Sequence, residues 1–133
     1  MMDWTAEARE AFAGDRFAAD AGIVIASVDE HTAVCRLEAT DRHCNARGVV
    51  MGGALFTLAD FAAAVAANSN DLKCLKWVSL NASIHYLASA GQGLLETHCT
   101  AVKHGRTTAL YVSNITDGDG HKVAVVETTM IHV

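Results

Sequence analysis

Over much of the chain apolar residues recur with period two. In Thr32–Thr40, Ala33, Cys35 and Leu37 alternate with Val34, Arg36 and Glu38, as on a strand with one buried face. A strand over Ile23–Val28 precedes it, joined through an Asp29-Glu30 turn. Strands are also predicted at Lys76–Leu87, Leu94–His104, Thr107–Thr116 and Lys122–His132, with turns at Ala90–Gly93, His104–Arg106 and Asp117–Gly120. The last of these has hairpin chemistry. Two segments break the pattern. Trp4–Phe12 reads as a short amphipathic helix ending near Gly14, and about Gly52–Asn68 is a proline-free run rich in Ala and Leu, predicted as a long helix. The order helix, two strands, long helix, four strands predicts an α+β fold with a largely antiparallel sheet.

The long helix carries apolar residues on every face, from Ala54, Leu55 and Phe56 to Ala63, Ala64 and Val65. Such a helix has to be buried all round. An antiparallel sheet curled around it, completed by a second copy meeting it edge to edge, would do this.

A chain of 133 residues without internal repeats is expected to form one domain, residues 1–133, with a core that needs no staples. Its formal charge of −5 lacks the basic stripe that nucleic acid requires, so no nucleic-acid partner is expected. The cysteines at 35, 44, 74 and 99 show neither Cys-x-x-Cys nor zinc-finger spacing, so free thiols and no metal are expected. The start lacks a basic and apolar leader, and the apolar stretch Gly52–Ala67 is too short for a span and interrupted by an aspartate. A cytoplasmic protein without a membrane partner is the expectation.

Asp60 is the only charged side chain between Arg47 and Asp71. An unpaired carboxylate among apolar neighbours costs several kcal/mol to bury. It can be tied to a neighbouring strand, or it can be kept for chemistry. Gly52 and Gly53 open the same helix, where first-turn amides lack partners and can hold a developing oxyanion. A Gly-Gly pair is equally compatible with a tight turn. Asn45 and Gly48 stand in the preceding loop, where Asn is commonly a turn residue. His43 and Cys44 read as solvated loop residues, since no third orienting group accompanies them. Ser79, alone on a strand, reads as packing or surface. The corner His104-Gly105-Arg106-Thr107 is a solvated turn, or a clamp if a phosphate comes near. Asp117–Gly120 reads as a turn only, because no Glu stands where a calcium loop needs one.

Gly52 and Asp60 lie about 12 Å apart along a helix axis. A reacting carbonyl must be within about 3 Å of both its donor and its base or nucleophile. If both groups serve one site, they come from different chains, and a symmetric dimer is part of the mechanism.

The run from His43 through Asn45, Gly48, Met51, Gly52 and Gly53 to Leu58-Ala59-Asp60 resembles the signature of the hotdog-fold acyl-CoA thioesterases of the PaaI-like, phenylacetate-pathway type. In those proteins a loop His-x-Asn leads to His-Gly-Gly and then to Leu-x-Asp on the central helix. The likeness extends over nearly the whole chain, through Val78-Ser79-Leu80-Asn81, the Gly105-Arg106-Thr107 corner and the Asp119–Ala124 hairpin.

The resemblance implies a sheet wrapped around the long helix, in dimers that often pair into tetramers. It assigns Asp60 as general base or nucleophile, Gly52 as the amide that polarises the thioester carbonyl, Asn45 as a placer of carbonyl or water, and Ser79 as holder of the water. Asn45 and Gly52 would come from one subunit, Asp60 and Ser79 from its partner. Met51, Gly53 and Phe61 would line the substrate, and Gly105, Arg106 and Thr107 would lie near the coenzyme A phosphates or pantetheine.

Coenzyme A would be part of the substrate, with no separate cofactor, and the acyl group a small aryl or medium-chain one. Met51 replaces the family's usual His and can make none of the imidazole's hydrogen bonds. That substitution motivates a second reading, a non-catalytic acyl-CoA or acyl-carrier binding module. A hotdog dehydratase ranks third, because no His occurs between His43 and His85 to pair with the acid.

Overall fold

The structure, a computed structural model, describes residues 3–133. Helix α1 (Trp4–Ala11) starts where the Asp3 carboxylate accepts the Ala6 amide at 3.1 Å. Glu7 lies in its first turn and Arg9 in its last, each complementing the helix dipole. A second short helix, α2 (Arg16–Ala21), follows and stops on Gly22 at φ 90°. The sequence reading missed α2, because six residues are too few for a periodic pattern to stand out.

The strands are β1 (Ile23–Asp29), β2 (Thr32–Ala39), β3 (Trp77–Tyr86), β4 (Gly93–His104), β5 (Thr108–Asp117) and β6 (Lys122–His132). Each lies within one or two residues of its expected bounds. They form one antiparallel sheet in the order β1-β2-β4-β5-β6-β3. On β2 the alternation is realised as expected, with Ala33, Cys35 and Leu37 all buried. The third helix, α3 (Gly52–Ala67), packs against every strand of the sheet. This is the hotdog arrangement. No helix among the described residues is long and apolar enough to cross a membrane.

The two sheet edges differ. At the β1 edge, α1 side chains bond to backbone groups of the strand. The Val28 amide donates to Thr5 Oγ1 at 3.0 Å, and Arg9 Nε donates to the Ile25 carbonyl at 3.0 Å. The β3 edge has no such cover. Val78, Leu80 and Tyr86 on that strand are exposed, and a bare apolar edge is a template for another strand.

The helix is also less enclosed than its composition suggests. Gly53 is exposed, and Thr57, Asp60 and Ala64 are half-buried, at the spacing of one helical face. Within the single chain its own sheet covers α3 only in part, the remainder being what the sequence reading assigned to a second copy.

Buried Cys35 and Cys99 sit on the neighbouring strands β2 and β4. Burial pushes their thiols up to about 12 and about 11, with Cys99 adding to the effect at Cys35. Thiols held protonated in this way are poor nucleophiles.

Candidate active site

The loop before α3 is a small closed structure. The Asn45 amide donates to the Val49 carbonyl at 2.8 Å, and the Asn45 side-chain oxygen accepts the Arg47 amide at 2.9 Å. Gly48 takes φ 80°, a left-handed conformation that glycine adopts without strain. Asn45 thus folds its own loop through Oδ1, while Nδ2 makes no hydrogen bond among the described residues.

His43 is half-buried rather than freely solvated. Its Nδ1 accepts the Thr40 amide at 3.0 Å, so Nε2 carries the proton and donates to the Ala21 carbonyl at 2.6 Å. It pins the loop to α2 and has no nucleophile beside it. The neighbouring Cys44 thiol donates to the Thr40 carbonyl at 3.5 Å.

Met51 is the residue before α3 and offers no side-chain cap. The Ala54 and Leu55 amides turn back to its carbonyl, whereas those of Gly52 and Gly53 have no partner among the described residues. Two cavities flank this helix start. One, of about 310 Å³, is lined by Asn45, Arg47, Gly52, Leu55 and Tyr86, among others. The other, of about 610 Å³, is walled by Phe17, Leu37, Met51, Gly53, Phe56 and Tyr86, among others. The structure therefore brings Asn45, Met51, Gly52 and Gly53 together. The open amides at the positive end of the helix dipole suit an oxygen gaining negative charge.

Asp60 lies two turns further along α3. Ser79 Oγ donates to its Oδ1 at 3.1 Å and also approaches Met130 Sδ at 3.6 Å. Asp60 and Ser79 thus form a second group, separated from the first by the length of helix between Gly52 and Asp60. Neither cavity at the helix start is lined by Asp60 or Ser79.

A β-bulge on β3 explains how Ser79 comes to face the helix. The β3–β6 register slips between Ser79 and Asn81, leaving Leu80 as the extra residue. Before the bulge the odd positions Trp77 and Ser79 turn toward α3. After it the even positions Ala82 and Ile84 are the more buried, and Tyr86 reaches Gly52. Strict period-two counting would have put Ser79 and Tyr86 on opposite faces.

Tyr86 is the member of the site that the sequence reading missed. A methyl group at Gly52 would stand 2.7 Å from the Tyr86 hydroxyl oxygen and 2.8 Å from the ring carbon that bears it. A side chain at 52 would have to displace the tyrosine, which lies over the glycine.

The structure does not bring Phe61 or the Gly105–Thr107 corner to the helix start. Phe61 is buried edge-on against Phe12 at 5.7 Å. It lines a separate cavity of about 500 Å³ beneath α1 and beside β1. Gly105, Arg106 and Thr107 lie at the other end of α3. There Asn68 exchanges hydrogen bonds with Trp77 at 2.9 and 3.0 Å, and the His132 amide donates to the Thr107 carbonyl.

Beside the corner, His104 stacks on His31 with 3.8 Å between ring centres, and its Nδ1 shares a 2.7 Å hydrogen bond with the Tyr111 hydroxyl. Burial, then His31 and His132, lower the His104 pKa, so the imidazole is held neutral. Gly105 is needed sterically, since a Cβ there would meet the Thr108 carbonyl oxygen at 2.8 Å. The hairpin carboxylate of Asp117 is occupied by the His121 and Asp119 amides, which lower its pKa. It serves the turn.

Comparison with known proteins adds the decisive observation. The profile of the thioesterase superfamily matches residues 47–124, which span the helix start, Asp60, Ser79 and Tyr86. The chain belongs to the thioesterase superfamily. It is 31% identical over 72% of its length to a 1,4-dihydroxy-2-naphthoyl-CoA hydrolase of Listeria monocytogenes, covering 78% of that protein. It is 33% identical over 68% of its length to a protein of Archaeoglobus fulgidus carrying a provisional esterase name, and the match spans 58% of that relative.

Among solved structures, the Escherichia coli PaaI protein of the phenylacetic acid degradation operon superposes with a TM-score of 0.87 at 26% identity. That match covers 98% of this chain and 96% of the other. A Streptococcus mutans protein bound to acetyl CoA matches with a TM-score of 0.76 at 27% identity, covering 84% and 88% of the two chains. Within the superfamily, this chain is a PaaI-like hotdog protein.

Proposed function

We propose that this member of the superfamily is an acyl-CoA thioesterase working in the cytoplasm, with each active site assembled from two copies of the chain. One observation carries the proposal: the site residues fall into two groups, each incomplete, on a molecule with one bare sheet edge. Antiparallel pairing of two β3 edges about Ser83, with Leu80 left out as the bulge residue, sets Ser79 of one copy opposite Tyr86 of the other. Since Ser79 is bonded to Asp60 and Tyr86 lies over Gly52, the same pairing carries the carboxylate of one copy toward the free amides of its twin. Two-fold symmetry then gives two equivalent sites.

In such a site the thioester carbonyl oxygen takes a hydrogen bond from the Gly52 amide, with Asn45 Nδ2 in reach to help place it. These donors stabilise the charge that grows on the oxygen as the carbon becomes tetrahedral. Asp60 acts in one of two ways. It can take a proton from a water that Ser79 helps hold, so that the water oxygen bonds to the acyl carbon. Alternatively its carboxylate attacks that carbon and water later cleaves the anhydride. In both routes the carbon–sulfur bond breaks and the sulfur leaves as the coenzyme A thiol after taking up a proton. Neither route requires a metal.

The cavity beside Met51, at about 610 Å³ and walled by Phe17, Leu37 and Phe56, suits a small aryl or medium-chain acyl group. Gly53 and Met51 stand at its mouth. The corner at Arg106 is offered to the nucleotide end of coenzyme A, reached from the partner copy because it lies far from Gly52 in its own chain.

The test is thiol release from a panel of aryl and straight-chain acyl-CoAs, with free coenzyme A as binding control. Turnover of at least one class supports the enzyme. Tight acyl-CoA binding that persists for hours without hydrolysis gives instead the binding module that Met51 suggests.

A further inference from the structure

We infer that Tyr86 is a catalytic residue of this site, its hydroxyl donating a second hydrogen bond to the thioester oxygen held at the Gly52 amide. The inference rests on the thioesterase reading and deepens it. Of the two tyrosines, Tyr111 has its hydroxyl bonded to His104, while that of Tyr86 has no partner among the described residues. Burial pushes the Tyr111 hydroxyl far above its ordinary pKa and keeps it protonated. Tyr86 is instead 54% exposed and lines both cavities at the helix start.

Its placement is specific. The hydroxyl oxygen stands where a side chain of Gly52 would begin, 2.7 Å from that point. A group bound at the Gly52 amide therefore meets the tyrosine as its next neighbour. The bulge at Leu80 gives Tyr86 this orientation, the same device that turns Ser79 toward Asp60. Two polar side chains of opposite parity are thereby delivered to one face of β3. An unpartnered hydroxyl beside Gly52, whose amide is also unpartnered, makes a donor set that a lone anionic oxygen can satisfy. Met51, 57% exposed at the same mouth, brings no donor of its own, so the tyrosine is the side chain placed to supply one from this strand.

The experiment compares the wild type with Tyr86→Phe, Gly52→Ala and the double variant, using the best acyl-CoA of the panel. Tyr86→Phe keeps the ring and removes only the hydroxyl. It should lower kcat by about tenfold to a hundredfold, less than the loss of a main oxyanion donor. KM should stay within about threefold, because the bond strengthens as charge develops. The melting temperature should move by less than about 2 °C, since no protein partner is lost.

Gly52→Ala keeps the amide but drives the tyrosine away, so it should reproduce the loss in kcat. Combined with Tyr86→Phe it should add little, because both changes remove one contact. Wild-type kcat in Tyr86→Phe, a defect confined to KM, or losses that multiply in the double variant would each overturn the assignment. Asp60→Asn, run in parallel, separates the two ideas. If it is inactive while Tyr86→Phe is fully active, only the tyrosine's role fails. If it keeps full activity, the thioesterase mechanism itself fails.

Discussion

Asparagine at position 60 should cut acyl-CoA hydrolysis by at least about a thousandfold with little change in folding. A positioned general base is worth about 10²–10⁴-fold, and a carboxylate nucleophile cannot be replaced by an amide. The variant is nearly isosteric, and its side-chain oxygen can still accept the Ser79 hydroxyl that Asp60 accepts at 3.1 Å. Substrate binding should survive, because the cavities at the helix start are walled by other residues. Single-turnover thiol release, with circular dichroism as the folding control, checks this. Activity within a few-fold of wild type would remove Asp60 from the reaction.

The second large effect is expected from Gly52→Pro. Gly52 is the first residue of α3, and Met51 before it has φ −66° and ψ 140°. Proline is favoured at the first position of a helix, and the residue before it prefers this extended conformation. The Gly52 amide has no protein partner among the described residues, so proline removes the donor without breaking a helix bond. The ring must also push Tyr86 aside, since a Cβ at 52 meets its hydroxyl at 2.7 Å. Loss of one oxyanion donor costs about 10²–10³ in kcat, so a loss of at least that size is expected from a folded protein. Retained turnover would show that the carbonyl is held elsewhere.

Both substitutions act on residues that could be found in the sequence, for different physical reasons. Asp60 stood out because a carboxylate in an apolar helix demands an explanation. Gly52 stood out because a helix opening on Gly-Gly leaves amides unbonded. If both serve one site, their separation along the helix axis calls for two chains. Strand alternation gave most of the sheet, as Ala33, Cys35 and Leu37 show.

What periodicity could not show was any break in itself. The bulge at Leu80 reverses the facing of β3 midway, and for that reason Tyr86 escaped notice and Ser79 could be placed only by resemblance. Phe61 looked like part of an apolar substrate wall. One residue along a helix is a turn of about 100°, which carries it to Phe12 and the cavity under α1. The capping of β1 by Thr5 and Arg9, which leaves β3 as the bare edge, depends on contacts between residues far apart in sequence.

Mixing the two inactive variants addresses the shared site most directly. Asp60→Asn and Gly52→Pro chains, co-refolded in equal amounts and assayed for thiol release, should pair at random, with half of the pairs hybrid. Each hybrid would unite the unaltered Gly52 of one chain with the unaltered Asp60 of the other in one of its two sites, restoring about a quarter of wild-type activity. A mixture no more active than its separate components, although hybrids are shown to have formed, would mean that every site is built from one chain and would contradict the account.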